Sequence, residues 1–173
     1  IKDYSFQKFG KALMFHSTGN DSTLKAGVYW YDLAESRLTL LNEHHKKHKI
    51  KSLVMSEDGL QAAYIADMDT TKSLKRLPKV VYWKKGGNAT FIHEKTAGVP
   101  LNWIVSEHFT PMFSKDSKKF FVGVSPEPLV QDTTLLPEEI VGVEVWNWKD
   151  DYIYPQQNRR LDNEKKRSYL SVY

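Results

Sequence analysis

Met55-Ser56-Glu57-Asp58-Gly59-Leu60-Gln61-Ala62-Ala63-Tyr64-Ile65 runs from an apolar residue through a polar turn at Asp58-Gly59 into a short apolar strand. Asp-Gly supplies the positive φ that a two-residue hairpin needs, so the stretch reads as the first hairpin of an antiparallel sheet. The same grammar occurs twice more. Phe6-Gln7-Lys8-Phe9-Gly10-Lys11-Ala12-Leu13-Met14-Phe15 carries it with Gly10 in the turn. Phe113-Ser114-Lys115-Asp116-Ser117-Lys118-Lys119-Phe120-Phe121-Val122 carries it with Ser117 where a turn glycine is expected. Each copy is followed by a variable stretch and then an aromatic, β-branched strand, at 28–32, 80–84 and 145–149. A further turn and short strand come next, at 37–41, 88–93 and 152–154.

The physical reading is one four-stranded antiparallel sheet per unit. Unit spacing is about 50 to 60 residues, slightly above the roughly 40 to 50 of propeller blades. The excess falls between the second and third strands of each unit, at 18–26, 67–78 and 125–139. A single such sheet cannot bury both faces and must stack on neighbours. The expected fold is all-β: a partial β-propeller of about three four-stranded antiparallel blades, with units at 4–43, 50–94 and 103–157. Residues 158–173 read as a linker and the first strand, 168–173, of another blade. The one helix candidate, 159–166, is polar and short and reads equally as a loop. Tyr31, Trp83 and Trp148 align between the units, and at least two of them are expected to be buried.

Composition narrows the function classes. With Trp 5, Tyr 9 and Phe 8 in 173 residues, the chain is too aromatic to be disordered. No apolar run approaches the roughly 18 to 20 residues of a membrane-spanning helix. The absence of cysteine excludes disulfides, thiolate zinc sites and cysteine nucleophiles. A net charge of +4 is too mild to name a partner. The chain opens on Ile1 without a signal-like apolar stretch and reads as processed or cut from something larger.

Four runs in the second half resemble the β-propeller region of bacterial prolyl oligopeptidase-type, dipeptidyl aminopeptidase-like serine peptidases. They are Trp103-Ile104-Val105-Ser106-Glu107-His108-Phe109-Thr110-Pro111-Met112-Phe113-Ser114-Lys115-Asp116; Asp132-Thr133-Thr134-Leu135-Leu136 with Glu138-Glu139-Ile140; Val145-Trp146-Asn147-Trp148-Lys149-Asp150; and Lys166-Arg167-Ser168-Tyr169-Leu170-Ser171-Val172-Tyr173. The first half is similar only at the level of a generic blade. The resemblance implies a noncatalytic propeller portion that gates or positions peptide substrates. Its implied partner is a C-terminal hydrolase domain carrying the serine triad. It also implies a protein that is periplasmic or otherwise exported; no cofactor is expected. The residues agree on catalysis, since no Gly-x-Ser-x-Gly nucleophile elbow occurs. The alternative is a stand-alone β-repeat module that binds a protein or a glycan.

Several clusters invite chemical readings. Ser106, Glu107 and His108 are consecutive, and neighbours on an extended chain point to opposite faces, so the expectation is not a triad but an ordinary blade entry leading to Pro111, its polar side chains satisfying nearby backbone groups, with substrate or interface contacts as the alternative. His44, His45 and His48 could share a helical face and bind a metal, but Lys46, Lys47 and Lys49 oppose a cation, so a solvated basic loop is expected. His93-Glu94 opens like a zincin motif, yet Ala97 stands where the second His is required. The carboxylate pairs Asp67 with Asp69, Glu138-Glu139 and Asp150-Asp151 read as structural, the last as a hairpin turn. Of the basic stretches 46–51, 72–79 and 159–167, the last is interrupted by Asp162 and Glu164, and the aromatics read as strand core, which argues against nucleic acid. No catalytic, cofactor or metal residue is expected. A cut array would leave apolar faces bare, so self-association through open blade edges is expected, with Tyr169, Leu170, Val172, Tyr173, Leu13 and Phe15 in the contact.

Overall fold

The computed structural model describes residues 1–20, 23–71, 73–130, 134–136, 138 and 143–173. Strands β1 (Asp3–Phe6), β2 (Ala12–Thr18), β3 (Ala26–Asp32) and β4 (Arg37–Glu43) form one antiparallel sheet in chain order. Strands β5 (Lys49–Met55), β6 (Gln61–Asp67), β7 (Lys79–Lys84) and β8 (Thr90–Ile92) form a second in the same order. The third contains β9 (Trp103–Val105), β10 (Met112–Phe113), β11 (Phe120–Pro126) and β12 (Tyr169–Val172). In it β9 and β10 lie end to end along one side of β11, and β12 pairs along the other.

The repeated turn has one construction in all three sheets. Gly10, Gly59 and Ser117 each donate a backbone N–H to the residue three before, at 2.9, 3.1 and 2.8 Å. Their φ values are 71°, 71° and 57°. The hairpin is wider than two residues, because the Ser56 N–H closes on the Gln61 carbonyl, and positive φ is needed only at the glycine position. Ser117 takes that position with its backbone in the left-handed region, which ordinarily favours glycine. Ser56 and Ser114 lock their turns alike. Each hydroxyl accepts the N–H five residues on, from Gln61 and Lys119, and donates to Asp58 or Asp116 at 2.5 Å. In the first sheet the Gln7 side chain does this work, its Oε1 accepting the Phe9 and Lys11 N–H groups.

Two apolar layers hold the sheets face to face. Ala12, Met14, Val28, Trp30 and Leu41 of the first sheet pack on Leu53, Ala62, Tyr64, Ala66, Val81 and Trp83 of the second. From its other face, Ala63, Ile65, Val80 and Ile92 pack on Val105, Phe120 and Val122 of the third. The second sheet is therefore apolar on both sides of each central strand. This is why β6 reads as the unbroken run Ala62-Ala63-Tyr64-Ile65-Ala66 and not as a polar–apolar alternation.

The third unit departs from the expected register. Residues 143–149 form no strand, and Trp148 is 89% exposed. The place of the third strand is taken by β12, which had been expected to begin another unit. Tyr173 and Phe120 exchange backbone bonds of 2.8 and 3.4 Å, as the pairings Tyr31 with Leu13 and Trp83 with Ala62 do in the first two sheets. The aligned aromatics are thus Tyr31, Trp83 and Tyr173. Of the three originally aligned, Trp83 is buried, Tyr31 half-buried and Trp148 exposed; the fully buried tryptophan of the first sheet is Trp30, one residue earlier.

Residues Pro128–Arg167 form a separate compact unit inserted between β11 and β12. It carries the helix α1 (Tyr154–Lys165), none of whose residues is buried. Pro155 opens the first turn, where its fixed φ suits a helix and its missing N–H costs nothing. The helix begins earlier than the expected 159–166 and includes Tyr154, which had been read as strand. The Asp150-Asp151 turn is present, with the Asp150 N–H on the Asn147 carbonyl at 3.1 Å, but it leads to this helix and not to a hairpin.

Candidate functional site

The long loops and the 44–48 connection leave the first two sheets at one end. His44 is 4% exposed, and its Nε2 lies 2.8 Å from the Tyr64 hydroxyl, itself buried on the inner face of β6. His44 Nδ1 lies 3.4 Å from His48 Nδ1, which accepts the His45 backbone N–H at 3.3 Å. With His48 Nδ1 an acceptor, His44 donates to it through Nδ1–H, and Nε2 is left to accept the Tyr64 O–H. The chain Tyr64 to His44 to His48 then requires a neutral His44. Burial, followed by the neighbouring His48 and His16, lowers the His44 pKa to about 4. Burial also lowers His48 and His16, and it raises the Tyr64 phenol. The expected solvated loop is thus half right: His45 is exposed, but His44 is a core side chain. Tyr64 was the signal available in the sequence, because a tyrosine inside an apolar strand needs a partner for its hydroxyl.

Ser106, Glu107 and His108 form an excursion between β9 and β10. They sit where Ser52, with φ 58°, bulges the first strand of the second sheet. Ser106 is 2% exposed. Its N–H reaches the Gly123 carbonyl at 2.8 Å, and its hydroxyl meets that of Ser168 at 2.5 Å and accepts the His108 N–H. It therefore anchors the entry to β12 and is closed to a substrate. Glu107 is paired across the sheets with Lys51 at 2.6 Å, a hydrogen bond that holds its carboxyl below the usual range. His108 is exposed. The three do not converge, and only Glu107 and His108 present surface.

Asp67 and Asp69 both face Arg76, at 3.3 and 3.9 Å, and the guanidinium also bonds the Asp69 carbonyl at 2.9 Å. This pair fastens the 67–78 loop. Lys75 pairs with Glu127, and Arg167 with Glu164. With Lys51 on Glu107, each basic stretch spends charge on a nearby carboxylate. His93 and Glu94 lie 3.8 Å apart in a turn, with His93 Nδ1 accepting the Lys95 N–H. Glu138 is exposed, and Glu139 lies outside the described residues.

At the opposite end of the first two sheets, a cleft of about 380 Å³ is lined by Trp30, Asp32, Arg37, Thr39, Trp83 and Lys85, among others. The indoles pack at 5.1 Å, and Trp30 Nε1 is buried without a partner. Lys85 bridges Asp32 at 2.7 Å and Glu35 at 3.3 Å, joining the two sheets and lowering the Asp32 pKa.

Among the described residues, no serine hydroxyl approaches a histidine base, and no three His, Asp or Glu side chains are placed to hold a metal ion. No helix is long and apolar enough to cross a membrane. What the arrangement offers is stacked sheets, paired charges at their rims, and loops that can carry contacts. No protein-family model matches the chain, and no curated protein matches it.

Proposed function

We propose that the chain is a noncatalytic β-propeller portion of a prolyl oligopeptidase-like serine peptidase, walling and positioning peptide substrates for a separate hydrolase domain. The observation that carries this reading is the second sheet, buried on both faces by its sequence neighbours. Consecutive four-stranded sheets stacked in chain order are the packing rule of a propeller. The resemblance of the quoted sequence runs supports the family, and the absence of a nucleophile elbow supports the noncatalytic role. Glu107 and His108, on the excursion between β9 and β10, are exposed side chains of the first quoted run that remain available for contact.

The test is the coding sequence beyond Tyr173, together with an assay of the chain alone. A downstream Gly-x-Ser-x-Gly followed by Asp and His, with no hydrolysis of aminoacyl or peptidyl chromogenic substrates by this chain, is the expected result. Turnover by the purified chain that disappears on changing His108 would overturn it. So would a stop codon at that point, which would favour the stand-alone protein- or glycan-binding module.

A further inference from the structure

The 44–48 connection joins the first sheet to the second, and its closed form depends on one atom. His48 Nδ1 accepts the His45 backbone N–H at 3.3 Å and lies 3.4 Å from His44 Nδ1. A backbone N–H can only donate, so the tautomer follows. Neutral His48 carries its proton on Nε2 and presents the Nδ1 lone pair to two donors. The His48 N–H returns to the His45 carbonyl at 2.9 Å, so the two residues are bonded twice. Upstream, the His44 N–H is fixed on the Ala26 carbonyl at 2.9 Å. Downstream, the chain runs into β5 at Lys49.

A second proton on the His48 ring has only Nδ1 to go to. It turns the acceptor into a donor that faces the His45 N–H and the His44 Nδ1–H. Both bonds are lost at once, and the ring gains a positive charge beside a buried neighbour. Protonating His44 breaks no bond of this kind, because its Nε2–H then donates to the Tyr64 oxygen that it had accepted from. His44 is buried, whereas His48 is half-buried and open to protons from solvent. His48 is therefore the group through which acid acts on the connection.

The charges around the pair point the same way. His16 of β2 and Tyr64 of β6 face His44, and His45 and Asp67 face His48. Asp67 favours a cationic His48, but Arg76 lies 3.3 Å from that carboxylate and Lys49 is its cross-strand partner. Lys46 and Lys47 add like charge within the turn, and Glu43 is engaged by Lys25 at 3.0 Å. Burial, with His45 behind it and Asp67 opposing, lowers the His48 pKa from 6.5 in the closed form. Released to water, the ring regains its ordinary value, so opening takes up a proton. The closed form is then complete above about pH 6.5 and weakens as the pH falls below it.

We infer that His48 is an acid-released latch: a proton on its Nδ1 frees the 45–48 turn and opens the connection between the first two sheets locally, while the sheets stay folded. The inference does not depend on the peptidase reading. It is tested on the full chain by amide exchange followed by NMR, expressed as protection factors so that the intrinsic pH dependence of exchange divides out. Protection of the His45 and His48 amides should fall on the order of tenfold between about pH 7 and about pH 5. The amides of the central strand β6 should stay far better protected than these two at both pH values, which marks the opening as local. His48→Asn places an amide oxygen where Nδ1 accepts and cannot titrate, so it should keep the turn protected at both pH values. His48→Ala should leave it unprotected at both. In the parent, imidazole nitrogen shifts at neutral pH should show His48 with its proton on Nε2. Protection of the turn that does not change with pH, protection equal to that of β6, a His48→Asn chain as sensitive to pH as the parent, or a proton on Nδ1 at neutral pH would each overturn the assignment.

Discussion

Trp83 and Trp148 have the same residue type and similar local sequence, yet opposite fates. Trp83 is 5% exposed and packs on Trp30, whereas Trp148 is 89% exposed. Trp83→Ala should therefore cost about 3 to 5 kcal/mol, and Trp148→Ala should stay within about 0.5 kcal/mol of the parent. Urea unfolding of the two variants is the check, and comparable losses in both would mean that the Trp148 segment packs in solution. His44 gives the residue scale its pH dependence. Its pKa falls from 6.5 in the unfolded chain to about 4 in the fold, so the unfolded chain binds the proton first. Stability is then complete above about pH 6.5 and is lost as the pH falls toward 4, by roughly 3 kcal/mol for the single group at about 1.4 kcal/mol per pKa unit. The lowered His16 and His48 act in the same direction. Unfolding free energies at pH 7 and 4.5 should differ more in the parent than in His44→Gln; equal differences would show that His44 does not carry the effect. None of this was legible from Glu43-His44-His45-Lys46-Lys47-His48-Lys49 itself. The partner that buries His44 is Tyr64, a whole strand away, and the lysines around it pointed to solvent.

The elements that were legible are those whose local pattern admits one partner. The turn at 56–61 and its copies set the hairpins of all three sheets, because a polar turn with one left-handed position joins the strands on either side. The third strand of the third sheet was not legible. Residues 143–149 alternate apolar and polar side chains as an edge strand would, and the segment Tyr169–Val172 is equally suited to pair. Which of two such segments adds to β11 is settled by long-range packing. The Tyr173 ring meets Tyr82 edge-on with centroids 5.7 Å apart, and Ser168 is held by Ser106. A second element-scale feature is the seat of the 106–111 excursion. A Cβ on Gly123 would lie 2.1 Å from the Phe109 Cβ, so β11 has a glycine where that ring crosses it. Gly123→Ala must expel Phe109 from the strand. The expected cost is about 1 to 3 kcal/mol, the usual penalty of overpacking, with faster amide exchange confined to residues 106–111. A fully stable Gly123→Ala protein with unaltered exchange would show that the ring is not seated there.

Among the described residues, the second sheet is covered on both faces and the first on only one. Cross-strand partners place Tyr4, Phe6, Leu13, Phe15, Tyr29, Tyr31, Leu38 and Leu40 together on its outer face. Phe15 and Tyr29 shield each other by stacking at 5.4 Å, so Phe15 is not the open contact that its sequence position suggested. Around them Tyr4 and Phe6 are 62% exposed, Leu38 45% and Leu40 37%. On the third sheet Met112, Leu170 and Val172 are likewise exposed. Apolar patches of this extent are uncommon on monomers, and β4 and β12 are strands with one unpaired edge. Two different apolar faces on one chain favour head-to-tail contacts, which do not close unless the rotation happens to permit a ring. The purified chain is therefore expected to show a mass that rises with concentration in light scattering, without settling at a dimer. Phe6→Lys or Leu38→Lys should lower that mass, because a charge on the outer face must be desolvated in any contact. Leu129→Lys, at a fully exposed site outside all three sheets, should leave it unchanged. A monomer at every concentration up to the millimolar range would mean that the outer face of the first sheet is tolerated in water, and the stacking principle that explains the second sheet would not extend to the first.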